Sequence, residues 1–199
     1  MSKIEIVICR VNEVCMDLSI RPVNKNLKEY NKIKKLMLTS FPKNERYPMW
    51  LLELLSKRKC IDFSAFYDEE KFCGLTYSIS SDKMTFLLYL AVNAEVRSKG
   101  YGSEILSCLK KSVPENIVVF NVEKPNTNAD NNEQRIKRVN FYLKNGFQTT
   151  NYELVDGNDI YSVLASDKNF SLEDYKNIMK KLSFGTYTGK IRQVEEIER

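Results

Sequence analysis

The sequence predicts a single mixed α/β (α+β) domain, and three observations carry that expectation. Apolar runs with strand patterning alternate along the chain with segments of helical period. No repeat or low-complexity linker divides the 199 residues, and 43% hydrophobic content suits one compact core. Two glycines, in "RSKGYGSEIL" (97–106), leave the end of an apolar strand and open a helix, a favoured place for a ligand in an open α/β sheet.

The elements follow in order. "DLSIRPV" (17–23) reads as a short strand that Pro22 confines to an edge or an end, and "SKIEIVICRV" before it as an extra strand or a frayed extension. Leu27, Tyr30, Ile33, Leu36 and Met37 recur at helical spacing from Asn26, and the helix should stop near "SFPKN" because a proline disfavours helix in the residue before it. A second helix follows Pro48 as "MWLLELLSKR". "IDFSAFYDEEKFCGLTYSIS" gives two apolar runs around a polar turn, an antiparallel hairpin. "TFLLYLAV" is apolar on both alternating faces and should be central. Ile105, Leu106, Leu109 and Val113 mark a helix after the glycines, and "NIVVFNVE" a buried strand. After the polar "KPNTNADNN", the segment "EQRIKRVNFYLKN" is expected to put Ile136, Val139, Asn140 and Leu143 on one apolar face, with Gly146 as its C-terminal cap. "FQTTNYELV" and "DIYSVLAS" form a closing pair of strands around "DGND". Ser171 and Asp174 then start a helix with the stripe Tyr175, Ile178, Met179 and Leu182.

Composition removes whole classes of chemistry. Histidine is absent, so serine–histidine and cysteine–histidine nucleophiles, the H-E-x-x-H metal helix and an imidazole base are all excluded. Five cysteines without a C-x-x-C pair suggest neither a disulfide framework nor a zinc site, and read as buried thiols. No apolar stretch is long enough to span a bilayer, and Glu5, Arg10 and Glu13 interrupt any signal-peptide core, so the expected setting is cytoplasmic, with no membrane partner and no metal. The net charge of +5 suits a polyanion and is equally an ordinary solubility margin.

A helix N-terminus exposes unpaired N–H groups and about half a positive charge, so a pyrophosphate can be held largely by backbone. Gly100 and Gly102 keep side chains clear of it, and Arg97 and Lys99 add charge. The missing G-x-x-x-x-G-K excludes a Walker loop, and the missing third glycine a dinucleotide fingerprint. "LAVNAEVRSKGYGSEIL" resembles the acetyl-CoA loop of the GNAT superfamily of N-acetyltransferases, an Arg/Gln-x-x-Gly-x-Gly/Ala pattern that Arg97, Gly100 and Gly102 match. "NFYLKNGF", some 40 residues on, resembles the family's second signature, a helix carrying Tyr before Lys-x-Gly-Phe. Arg135 stands where the family often has Asn, and Ser98 where it often has Gly.

The resemblance covers about 17–166. It implies a mostly antiparallel central sheet flanked by helices, with acetyl-CoA as co-substrate in a cleft between splayed strands. Residues 1–16 would be an N-terminal extension and 167–199 an appended helix and tail. The implied cofactor-binding residues are Leu90 and Val92, pairing by backbone with the pantetheine arm, and Arg97, Ser98, Lys99, Gly100, Tyr101, Gly102 and Ser103 around the pyrophosphate. The implied reaction is direct acetyl transfer in a ternary complex to an amine, with a strand N–H near Val92 receiving the oxyanion. Tyr142, about 60° from Val139 around its helix, is the general acid for the leaving thiolate. Glu123 is a candidate general base, and Glu45 another. Phe41, Tyr47 and Trp50 fall where the family's first two helices border the acceptor site.

Two other readings stand beside this one. A catalytically silent acyl-CoA-binding or sensing module of the same fold would account for Arg135. Nucleic-acid binding through the lysines of 28–35 is disfavoured, because a solvated helix face explains those charges. The acceptor stays open among small-molecule amines, such as polyamines, aminoglycosides and amino acids, and protein or peptide amines. The "KPNTNADNN" loop and the tail are left between shaping that pocket and forming a homodimer contact.

Overall fold

The computed structural model describes residues 17–182 and 189–194. The expected extension over 1–16, with Cys9 and Cys15, lies outside the described residues, as do 183–188 and 195–199. Among the described residues eight strands form a mostly antiparallel sheet in the order β1-β2-β3-β4-β5-β7-β6-β8, with five helices. The chain divides into two compact units. The first takes the residues up to Ile79 with Leu87–Pro114, and the second Ser80–Phe86 with those from Glu115 on.

In the first unit β1 (Leu18–Pro22) pairs antiparallel with β2 (Ile61–Asp68), and Pro22 ends the edge strand as expected. The first helix, α1 (Tyr30–Ser40), begins four residues later than the apolar spacing suggested. Asn24 takes the intervening residues into a turn, its Oδ1 accepting from Asn26 N at 2.9 Å, so the backbone is committed before a helix can nucleate. After Phe41 and Pro42 comes α2 (Met49–Leu55), which buries Leu52. The hairpin of β2 and β3 (Lys71–Ser80) turns at Glu69, whose φ is 52°. Its register slips near Cys73, Phe66 facing Gly74 and Tyr67 facing Phe72.

Strand β4 (Met84–Val92) is buried on most of its length, as a strand apolar on both faces should be. Its end, a 3-10 turn at Ala94–Val96 and α3 (Tyr101–Ser112) lead into a cluster of Leu18, Phe66, Cys73, Val96, Tyr101, Ile105 and Cys108. Leu90 and Val92 pack against it. Close approach of α3 is possible because residue 74 is glycine. A Cβ there would meet Ala91 O at 2.5 Å and Ile105 Cδ1 at 2.8 Å.

In the second unit the start of β4 pairs parallel with β5 (Ile117–Glu123), from Met84↔Ile117 to Phe86↔Val119. Helix α4 (Asn132–Lys144) ends at Gly146, where φ is 77°. Its orientation corrects the sequence reading. Ile136, Asn140 and Leu143, expected on the apolar face, are exposed, and Tyr142 is the buried residue. Aromatic packing from β5 and an ion pair at Arg135 turn the helix, which local periodicity does not register.

Strands β6 (Gln148–Asp156) and β7 (Asp159–Ala165) close the unit around Gly157, with β7 between β5 and β6. Ser171 Oγ accepts from Asp174 N and starts α5 (Leu172–Leu182), which buries Tyr175 with its hydroxyl donating to Asn121 Oδ1 at 2.8 Å. Residues Lys190–Gln193 form β8 along the outer side of β6, where Arg192 bonds twice to the buried Glu153. Burial raises the Glu153 carboxyl, but Lys124 and Arg192 outweigh it and hold the group below its ordinary range. Of the described cysteines, Cys73 and Cys108 are buried and Cys60 is exposed, which corrects the uniform expectation.

Candidate active site

In the first unit the chain leaves β4 under tight control. Asn93 donates its backbone N–H to Cys73 O at 2.8 Å and its side-chain amide to Phe72 O at 2.9 Å. Its Oδ1 accepts from Glu95 N, an Asx arrangement that starts the 3-10 turn. Arg97 folds back and donates from Nε to Val92 O at 3.3 Å.

Ser98 and Gly100 then take left-handed conformations, with φ of 61° and 87°. Ser98 matters for that reason: its position prefers glycine because φ is positive, not merely because a side chain is in the way. After the turn, Ser103 N and Glu104 N both bond to Gly100 O. Among the described residues, the N–H groups of Ser98, Lys99, Gly100, Tyr101 and Gly102 have no hydrogen-bond partner. Five consecutive donors at a helix start give a surface of the kind that can hold an anion.

Tyr101 contributes only its backbone to that surface. Its ring is buried and its hydroxyl donates to Asp68 Oδ2 at 2.5 Å, a bond that with burial pushes the phenol up to about 12. Lys99 and Ser103 are exposed, and Leu90 and Val92 are half-buried.

The opposite face of β4 carries a second arrangement. Tyr89 stacks on Phe41 at 4.6 Å between centroids, donates its hydroxyl to Glu45 O at 2.8 Å, and accepts from Tyr47 N at 3.0 Å. The α1–α2 connection is thereby fixed to the strand residue next to Leu90. Tyr47 and Trp50, expected near an acceptor, are both exposed.

In the second unit, Tyr142 lies on Phe120 with ring centroids 4.0 Å apart and meets Phe147 edge-on. Burial pushes its phenol up to about 12, against a smaller opposing effect of Arg138, and its hydroxyl has no partner among the described residues. Earlier on α4, Arg135 Nη2 at 3.0 Å and Arg138 Nη1 at 2.8 Å hold Glu123, the last residue of β5. Arg135 also donates to Asn131 Oδ1 and to Lys124 O. A cleft of about 400 Å³ lies between the 124–127 loop, Arg135 and the 158–160 turn. No three Cys, Asp or Glu side chains gather as a metal site among the described residues.

Asn93, Tyr89 and Arg138 escaped the sequence reading. An Asx signal before a short turn could have flagged Asn93. Tyr89 and Arg138 act on partners distant in sequence, and nothing local marks them.

An acetyltransferase (GNAT) family model matches residues 30–147, from the start of α1 to just past the cap of α4. No curated protein matches the chain at a significant level. Among solved structures, it is similar to a putative GNAT-family acetyltransferase from Bacteroides thetaiotaomicron, with TM-score 0.69, 21% identity, and 84% and 99% of the two chains covered. An aminoglycoside 6'-N-acetyltransferase complexed with coenzyme A gives 0.56, 16%, and 73% and 94%. A GNAT acetyltransferase from Elizabethkingia anophelis with acetyl-CoA bound gives 0.51, 15%, and 75% and 97%. With the family model covering more than half of its length, the chain belongs to the acetyltransferase (GNAT) family.

Proposed function

We propose that this protein transfers an acetyl group from acetyl-CoA directly to an amine acceptor, without a covalent enzyme intermediate. The observation that carries this reading is the run of five N–H donors from Ser98 to Gly102 after Arg97, in a chain of this family. Those donors, with Lys99, suit a pyrophosphate. Coenzyme A or acetyl-CoA in two of the similar structures supports the choice of co-substrate.

The neutral amine attacks the thioester carbonyl, the C–N bond forms, and the developing oxyanion takes a backbone N–H of β4 near Val92. The C–S bond then breaks. Tyr142 is assigned to the departing sulfur. A phenol near 12 is a much weaker acid than a thiol at about 8.5, so Tyr142 stabilises the thiolate mainly as a hydrogen-bond donor that keeps its proton.

Glu123 is given a positioning role in place of the base expected from the sequence, because two guanidiniums occupy its carboxylate oxygens. The amine proton passes to water. Arg135, in the place of the family's usual Asn, is part of that clamp. Reduced thiols at Cys60, Cys73 and Cys108 fit a reducing cytoplasmic setting, and no helix among the described residues is long and apolar enough to cross a membrane.

The test is calorimetric titration with acetyl-CoA of the native chain and Gly102→Glu, followed by a free-thiol assay over pooled amines. Binding that is lost in the variant, with thiol released only when amine is present, is expected. Binding without amine-dependent release from any pool would favour the silent module, and no binding would overturn the reading.

A further inference from the structure

The segment 25–60, which forms α1, α2 and their connection, carries ten basic and three acidic residues. Its net charge is +7, whereas the whole chain carries +5. The three carboxylates offset this little. Glu29 is buried, and Glu53 accepts the Tyr30 hydroxyl with its side chain 15% exposed. Nine of the ten cations, including Lys43, Lys57 and Lys59, are exposed.

Within this field lies an apolar stripe of unusual exposure: Tyr47 at 40%, Trp50 at 64% and Leu54 at 53%. Trp50 and Leu54 are four residues apart on α2 and share a face. The connection that precedes them is pinned to β4 by Tyr89, one residue from Leu90. Positive potential around an apolar stripe repels polycationic amines and attracts an anionic chain that also has side chains to bury.

We infer that the acceptor is an amine of an acidic peptide segment, docked along Tyr47, Trp50 and Leu54 and drawn in by the cations of α1 and of the segments on either side of α2. The inference rests on the acetyl-transfer reading and narrows its substrate class. An aminoglycoside or polyamine, itself polycationic, would approach against this field. In the reaction the peptide nitrogen bonds to the acetyl carbon, the C–S bond breaks, the amine proton goes to water, and coenzyme A leaves as thiolate.

Trp50 is the only tryptophan of the chain, so its fluorescence reports docking independently of turnover. The experiment uses the full chain with acetyl-CoA and equal-length peptides with free N-termini. One set carries several Asp or Glu after an apolar residue, and the other Lys in their place. Spermine and a single-stranded oligonucleotide complete the panel, with Trp50 emission and thiol release read together.

The acidic peptide is expected to bind and to turn over at least about tenfold better at low salt than the basic peptide or spermine. The preference should collapse near 0.5 M salt, where the Debye length falls to about 4 Å. Lys43→Glu/Lys57→Glu/Lys59→Glu should reverse it, and Trp50→Ala should weaken acidic-peptide binding while leaving acetyl-CoA affinity unchanged.

Equal or better turnover with spermine or the basic peptide overturns the inference and leaves acetyl transfer standing. So does an oligonucleotide that displaces the acidic peptide at lower concentration, which would assign the surface to nucleic acid. Peptide binding with no thiol release from any amine would instead sink the transfer reading.

Discussion

A methyl group on Gly74 would lie 2.5 Å from the carbonyl oxygen of Ala91. Backbone cannot yield at that distance as a flexible side chain could, and Ile105 of α3 closes the other side at 2.8 Å. Gly74→Ala is therefore expected to lower stability by about 2 to 4 kcal/mol through overpacking and backbone displacement. Because the start of α3 supplies the last two donors of the loop, Tyr101 and Gly102, acetyl-CoA affinity should fall with it. Denaturant unfolding and calorimetry check both, and a variant as stable as the native chain would contradict the packing described.

Ser98 holds φ at 61° without the freedom of glycine. Ser98→Val should cost about 1 to 3 kcal/mol and weaken acetyl-CoA binding about tenfold, since a β-branched residue is poorly tolerated there. Ser98→Gly should leave the affinity the same or better. Weaker binding in the glycine variant would mean that the serine side chain, rather than its backbone, serves the ligand.

Tyr142 separates function from stability. Its hydroxyl has no protein partner among the described residues, so Tyr142→Phe should change unfolding free energy by less than about 0.5 kcal/mol. With the proposed role, kcat should fall about 10²-fold at unchanged acetyl-CoA affinity. Its phenol, near 12, also predicts no alkaline limb in the kcat profile from this residue below about pH 10. Such a limb, present in the native chain and absent in the phenylalanine variant, would contradict this assignment.

Glu123 should behave oppositely. Glu123→Gln leaves Arg135 and Arg138 without their shared carboxylate and should cost about 1 to 3 kcal/mol. Thermal unfolding and kcat on the folded variant test this, with kcat expected within about threefold of native. A loss of about 10²-fold in kcat would restore Glu123 as the base.

Alkaline pH should destabilise the fold. Tyr30, Tyr67, Tyr89, Tyr101 and Tyr142 are each pushed up to about 12, the first and fourth mainly by accepting carboxylates and the others mainly by burial. A raised phenol means that the folded chain keeps protons that the unfolded chain gives up near 10. Stability is therefore fully present below about pH 10 and is lost as pH rises towards 12. Urea midpoints across that window check it, and a flat profile would show that these phenols are not perturbed.

The strands and the donor loop were legible because their signals are local. Alternation marks β2 and β3, two apolar faces mark β4, and paired glycines mark the start of α3. The inward face of α4 was not legible. Arg135 and Tyr142 turn inward for partners on β5, Glu123 and Phe120, so an ion pair and a ring stack override the stripe of Ile136 and Leu143. The four residues of β8 include Lys190 and Arg192 and carry little strand signal. What fixes them is Glu153 on the neighbouring strand. The Tyr89 anchor pairs residues more than 40 apart and has no sequence signature.

Among the described residues the sheet ends in two edge strands, and these bear on colloidal behaviour. An open strand edge offers a row of unused donors and acceptors to any other chain, the starting point of fibrous aggregation. Here β1 is five residues long, carries Arg21 and ends in Pro22, while β8 is four residues long with Lys190 and Arg192 along it. Short, cationic and interrupted, both are poor templates for a stranger. Removing β8 would instead bare the nine residues of β6, a longer edge on which intermolecular sheets could grow.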